Sequence, residues 1–248
     1  MDRYTTKRRL LRPLTALRRR RRAGRLNPYT LTVYEGHDYR PSMRHFFVAT
    51  RDHPDILIDV DLPDGSVVVD VGAYIGEWSE RILERADERG VQDLQIHAFE
   101  PEPHAYKRLL AGIGQDPRVQ LHSFGLAGRD RAEQLTIGGP GSSLFVDPTT
   151  PGFLGATEID LRDASAVLSA LDIDRVDLVK INIEGGEFEL IDRLHETGWL
   201  ARMGPLIIQF HEFGPDAYRG RRRNRRQLAE THRCTWNYTW VYERWDPR

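Results

Sequence analysis

The run Val67-Val-Val-Asp70-Val-Gly72-Ala73-Tyr74-Ile-Gly76 constrains the fold more than any other stretch of the chain. Its valines fit a short strand buried on both faces, and strands of that kind belong to parallel sheets covered by helices above and below. Two glycines follow where the strand must turn into a helix. Ile75 to Ala86 supplies that helix, with Trp78, Ile82 and Leu83 on an apolar stripe and Glu, Arg and Ser elsewhere.

The same rhythm repeats. Leu94 to Phe99 predicts a second strand and Pro103 to Leu110 a second helix, with proline near a first position where its missing N–H is harmless. Val119 to Phe124, Leu178 to Ile183 and Leu206 to Phe210 predict further strands. Ser165 to Leu171 and Glu187 to Leu194 predict helices, followed by a basic helix over Arg222 to His232 and an aromatic strand or hairpin over Trp236 to Trp245. Ala127 to Thr157, centred on Gly138-Gly-Pro-Gly-Ser142-Ser143, predicts a long loop around a short strand at Leu135 to Ile137. The expected fold is α/β, a doubly wound, mostly parallel Rossmann-like sheet with helices on both faces. Residues 1–30 form a basic tail, 31–66 an extension, and 67–248 the core, the last two making one domain.

Composition excludes several alternatives. Hydrophobic residues make up 40% of the chain, with no apolar run of the ~18 to 20 residues a membrane-spanning helix needs. The single cysteine, Cys234, excludes an internal disulfide and a cysteine-based zinc site and favours a reducing compartment. A formal net charge of −1 conceals basic blocks at Arg3 to Arg25 and Arg219 to Arg226. No apolar stretch of ~7 to 15 residues follows the first block, so it does not read as a secretory signal. The expectation is a cytoplasmic protein. Its Arg18 to Arg22 tail suits contact with an anionic membrane at its inner face or with nucleic acid, although a disordered tail is the simpler reading.

Ligands of a doubly wound sheet sit beyond the carboxyl ends of the strands, near the topological switch point. The spacing Gly72-x-x-x-Gly76 departs from the Gly-x-Gly-x-x-Gly dinucleotide fingerprint. An acid just before the turn, Asp70, suits a cofactor with a positively charged amino group and sulfonium better than a pyrophosphate. Glu100, closing Ile96-His-Ala-Phe-Glu100-Pro101 at the tip of the second strand, is placed to accept both hydroxyls of a ribose. On the strand Asp177-Leu-Val-Lys180-Ile-Asn182-Ile-Glu184-Gly-Gly-Glu187, alternation sends Lys180, Asn182 and Glu184 to one face, where buried polar groups need a site or a network.

In this order, Asp-Val-Gly-Ala-x-Ile-Gly, Ala98-Phe-Glu-Pro-Glu-Pro103 and Lys180-Ile-Asn-Ile-Glu-Gly-Gly-Glu187 resemble the FkbM family of methyltransferases, over about residue 55 to the C-terminus. The resemblance extends to Gly141-Ser-Ser-Leu144 and to the tail around Gln209-Phe-His211-Glu212-Phe. It implies a class I S-adenosylmethionine enzyme that O-methylates a hydroxyl of a glycan or small-molecule natural product. Asp70, Gly72, Ala73, Tyr74, Gly76, Glu100, Pro101 and Asn182 would then hold the cofactor, and Ser142, Ser143 and Glu212 would meet the acceptor. Tyr74 stands where many members have asparagine, and Asn182 where they commonly have aspartate. An amide is a poorer ligand for a hard cation, so a metal-independent reaction is expected.

Methyl transfer needs a base near the methyl group. His211, following a strand and with an ordinary pKa of ~6.5, is the first candidate, and Glu184 the alternative. Lys180 either joins the chemistry or pairs with Glu184 or Asp70. Competing functions are an RNA methyltransferase using the basic blocks, a nicotinamide-dependent oxidoreductase, and a catalytically silent nucleotide-binding module.

Overall fold

The structure, a computed structural model, describes residues 39–138, 149, 154–213 and 216–248. The basic tail, Ser142 and Ser143 lie outside the described residues.

Helix α1 (Tyr39–Asp52) precedes β1 (Val67–Val71), α2 (Glu77–Arg89), β2 (Gln95–Phe99), α3 (Pro103–Ile113) and β3 (Val119–His122). Then come β4 (Gly125–Ala127), β5 (Arg131–Thr136), β6 (Ala156–Asp163), α4 (Ala164–Ala170), β7 (Leu178–Ile181) and α5 (Glu187–Glu196). A short 3₁₀ turn (Trp199–Arg202), β8 (Leu206–Ile208), α6 (Ala217–Thr231), β9 (His232–Tyr238) and β10 (Tyr242–Pro247) close the chain.

The main sheet has seven strands in the order β3-β2-β1-β7-β8-β10-β9. Strands β3, β2, β1, β7 and β8 run parallel, and β10 and β9 form an antiparallel hairpin at one edge, matching the strand or hairpin predicted for the aromatic tail. Because β1 lies between β2 and β7, chain order reverses at β1 and opens a crevice beyond its carboxyl end. Alternate residues of β1 enter different cores. Val69 and Val71 pack with Leu190 and Ile191 of α5, and Val68 packs with Ile82 and Ala86 of α2. The valine run is therefore covered on both faces, and this double burial is what makes it a central strand.

Element boundaries moved where turns carry the site. Helix α2 starts at Glu77 rather than Ile75, because Tyr74 (φ 53°) and Gly76 (φ 96°) are left-handed. Strand β7 stops at Ile181 rather than Ile183, before a turn in which Glu184 (φ 52°) and Gly185 (φ 109°) are also left-handed. Helix α6 begins at Ala217, five residues earlier than expected at Arg222. The larger addition is a second sheet, β4-β6-β5, in which the short strand expected at Leu135 to Ile137 falls largely within β5, β4 and β6 flank the expected loop, and residues 139–148 and 150–153 of that loop lie outside the described residues. In β6 only Ile159 and Leu161 are buried, against Ala127 and Leu135, and the outward Glu158, Asp160 and Arg162 give the segment its polar look. Among the described residues no helix is long and apolar enough to cross a membrane.

Candidate active site

A cavity of about 660 Å³ opens beyond β1. Gly72, Ala73 and Tyr74 line it from the turn after β1, Glu100 and Pro101 from the tip of β2, and Asn182 and Glu184 from the turn after β7. Tyr242 from β10 and Trp78 from α2 border it, and Leu126, Ile159 and Leu161 of the smaller sheet add an apolar wall.

Gly72 lines the cavity, and packing as well as a left-handed φ requires glycine there, whereas at Gly76 the requirement is the left-handed φ of 96°. A β-carbon on Gly72 (φ 79°) would meet the Asn182 carbonyl oxygen at 2.1 Å, and one on Gly76 would meet Leu109 Cδ1 of α3 at 2.8 Å. Gly76 is not among the described lining residues. Asp70 is fully buried, is not among the described lining residues and has its carboxylate held by two side chains, which corrects its reading as a cofactor ligand. Its Oδ1 lies 2.9 Å from Lys180 Nζ and its Oδ2 accepts from Ser79 Oγ at 2.7 Å. Lys180 also donates to the Gly72 carbonyl at 2.7 Å. The ammonium thereby ties the end of β1 to β7, one of the two pairings expected for it. Ser79 was not anticipated. Its signal was a hydroxyl on the same helical stripe as Ile82 and Ala86, where a buried polar group needs a partner.

Glu100 sits where the sequence placed it, level with β1 because Val71 pairs with Phe99. Its Oε2 accepts from the Tyr74 N–H and its Oε1 from the Glu102 N–H, each at 2.8 Å. Burial pushes its pKa up to about 7, against the opposing pull of those two N–H groups and of Lys180. Asn182 directs Nδ2 toward the Tyr242 hydroxyl at 3.4 Å, and its Oδ1 is buried without a hydrogen-bond partner. Burial first, then the charges of Asp70 and Glu184, hold the Tyr242 hydroxyl above its ordinary pKa. Tyr242 was missed as an individual residue, since only the final fold brings an edge hairpin to a turn about 60 residues away.

His211 is buried and lies outside the described lining. Its Nδ1 is 2.8 Å from Glu187 Oε1 and its Nε2 3.2 Å from Glu184 Oε1. Burial alone would lower its pKa, but the two carboxylates override it and raise the value to about 10. With each ring nitrogen against a carboxylate and the ring outside the described lining, His211 is not placed to take a proton in the cavity, which corrects the expectation of a histidine base. Glu212 is half-buried and is not among the described lining residues either. Lys180, Asn182 and Glu184 do share the cavity. They do so through a strand end and a left-handed turn instead of strict alternation.

These acceptors and the apolar wall fit S-adenosylmethionine. Glu100 offers carboxylate oxygens at a strand tip, Asn182 Oδ1 is a buried acceptor still wanting a donor, and the apolar wall suits a purine face.

The strand order, the crevice beyond β1 and the strand-tip acid define the Rossmann-like fold of class I methyltransferases. Residues 70–230, more than half of the chain, match the family described as Methyltransferase FkbM domain. The chain belongs to that family. It is 27% identical over 198 residues to the AMB antimetabolite synthetase AmbE of Pseudomonas aeruginosa, an alignment covering 64% of this chain and 9% of that one. It is 25% identical over 173 residues to Methyltransferase 1 of Beauveria bassiana, covering 59% of this chain and 68% of that one. This chain thus spans less than a tenth of the length of the first of these relatives. A crystal structure of methyltransferase FkbM from Methylobacillus flagellatus KT superposes with a TM-score of 0.49 at 15% identity, covering 76% of this chain and 45% of that one.

Proposed function

We infer that the chain transfers a methyl group from S-adenosylmethionine to a hydroxyl oxygen of a glycan or small-molecule natural product, without a metal ion. The observation that carries this reading is Glu100. It is fixed by two backbone N–H groups at the tip of β2 and faces the same cavity as the Gly72 to Tyr74 turn.

S-adenosylmethionine supplies a methyl carbon bonded to a positively charged sulfur. Glu100 accepts the hydroxyl donors of the ribose, and Asn182 Oδ1 offers the acceptor that an ammonium or hydroxyl donor would satisfy. Lys180 and Asp70 hold the turn in register, and this acts on alignment, to which an in-line displacement is sensitive. Trp78 and Tyr242, bordering the cavity beside Glu184, offer aromatic surface to the acceptor and exclude water.

Calorimetry on the purified chain tests the reading. Binding of S-adenosylmethionine and S-adenosylhomocysteine, lost or strongly weakened in Glu100→Ala and undiminished by a chelator, is the expected result. Binding of a nicotinamide dinucleotide in their place would replace this function with an oxidoreductase or a silent nucleotide-binding module.

A further inference from the structure

We propose that Glu184 takes the proton of the acceptor hydroxyl, and that His211, clamped by Glu187, is the positioning residue that holds the Glu184 carboxylate at the cavity. This rests on the methyl-transfer reading above.

The three side chains form a chain running from the core to the cavity. Glu187 is fully buried at the start of α5. Its Oε1 accepts from the Ile183 N–H at 3.0 Å and the Gly185 N–H at 3.2 Å, and its Oε2 from the Gly185 N–H at 3.0 Å. Glu187 therefore fixes the turn that carries Glu184 and, through the 2.8 Å contact with His211 Nδ1, the imidazole as well. The ring lies parallel to Phe213, with centroids 5.4 Å apart and planes 5° from parallel, so its orientation is set on a face as well as at an edge. Glu184 is the one member of the three that lines the cavity, and its side chain is 20% exposed.

Backbone strain points to the same place. Among the described residues the non-glycine left-handed positions are Tyr74, Asp93, Asp172, Glu184 and Trp240. Aspartate tolerates this region through its short polar side chain, whereas glutamate and tyrosine gain no such help. Glu184 and Tyr74 face one cavity from adjacent strand ends. Unfavourable backbone that survives at a ligand edge marks residues whose placement matters more than their comfort.

The chemistry asks for a well-placed base more than a strong one. A lone pair of the acceptor oxygen forms the new O–C bond, the C–S bond breaks, and its electron pair goes to sulfur, converting the sulfonium to a neutral thioether. As the O–C bond forms, the hydroxyl turns into an increasingly acidic oxonium, and its proton passes to the Glu184 carboxylate and later to solvent. A methyl ether results. With its ring nitrogens against the two carboxylates and outside the described lining, His211 orients Glu184 without competing for the acceptor's proton. Among the described residues, titratable groups near this point include Glu187 of α5, Tyr242 of β10, and the Asp70–Lys180 pair of β1 and β7.

The test uses the full chain with S-adenosylmethionine, and with methyl glycosides, phenols and water as acceptors, following release of S-adenosylhomocysteine and donor affinity in parallel. Glu184→Gln should bind the donor within about threefold of wild type and release product on the order of 100-fold more slowly, through kcat rather than KM. Formate should restore part of the rate to Glu184→Ala. Independently of turnover, the ¹⁵N titration of the His211 ring should shift down by at least one pH unit in Glu184→Gln. Any of three results overturns the proposal: full product release by Glu184→Gln, loss of donor affinity in that variant, or an unmoved His211 titration. A wild-type chain that binds the donor yet methylates none of these acceptors overturns it too. Failure of the methyl-transfer reading looks different, because the wild type would then not bind the donor at all.

Discussion

A β-carbon on Gly72 would lie 2.1 Å from the carbonyl oxygen of Asn182, so the ends of β1 and β7 meet backbone to backbone beside the cavity. The closest atoms there are backbone, which cannot swing aside as a side chain could, and Gly72 also has φ 79°. Gly72→Ala must separate the two strand ends. We expect it to cost about 3 kcal/mol or more in urea unfolding and to abolish donor binding in whatever fraction stays folded. Retained affinity would mean that the turn is not part of the cofactor site.

The Asp70–Lys180 pair sits at 0% and 8% side-chain exposure, so neither charge has water to fall back on. Asp70→Asn or Lys180→Met alone should cost on the order of 3–5 kcal/mol, because each leaves an uncompensated buried charge. The double variant should be less destabilised than the sum of the two. Denaturant midpoints across the cycle give the coupling directly, and simple additivity would show that the pair does not act as one unit.

What the sequence disclosed followed from local rules. Four valines flanking Asp70 implied a doubly buried strand, and the register of β1 with β2 then delivered Glu100 to the site from spacing alone. Where partners were distant in the chain, the same reasoning stopped. Asp70 looked like a ligand to a charged cofactor until Lys180, 110 positions away, and Ser79 occupied its oxygens. Gly72 looked like a turn glycine, and only the fold sets the Asn182 carbonyl against the place of its missing β-carbon. His211 looked like a base because an isolated imidazole titrates near neutrality, and only the fold sets two carboxylates against it. Strand β6 was hidden because just Ile159 and Leu161 face inward, too few to outweigh the Gly- and Pro-rich stretch before it.

Glu100 has a pKa raised to about 7 by burial, so near neutrality it is divided between neutral and charged forms. Ribose hydroxyls donate to the charged form and so favour it. Binding of S-adenosylmethionine should therefore release protons around pH 7, measurable by calorimetry in buffers of different ionisation enthalpy, and affinity should rise as pH increases from 6 to 8. Glu100→Gln should remove this pH dependence and weaken binding by roughly 10-fold or more. Proton uptake on binding would contradict the assignment.

His211 makes a prediction about stability rather than activity. Its pKa rises from 6.5 to about 10 on folding, so the folded state holds a proton that the unfolded chain gives up above pH 6.5. The stabilisation is fully present below pH 6.5 and is lost as pH climbs toward 10. Glu100, raised from 4.5 to about 7, acts with the same sign but is spent by about pH 8. His97, His122 and His232 are lowered by burial and act below pH 6.5 with the opposite sign. Cys234 and Tyr242, both raised, enter only from about pH 9 upward. The interval from pH 8 to 9 thus isolates His211. There the wild type should lose roughly 1 kcal/mol of unfolding free energy per pH unit, while His211→Asn, less stable at pH 7, should be nearly flat. Parallel slopes for the two proteins would show that His211 does not carry its extra proton in the folded state, and with that the clamp of Glu187, His211 and Glu184 would lose its charge.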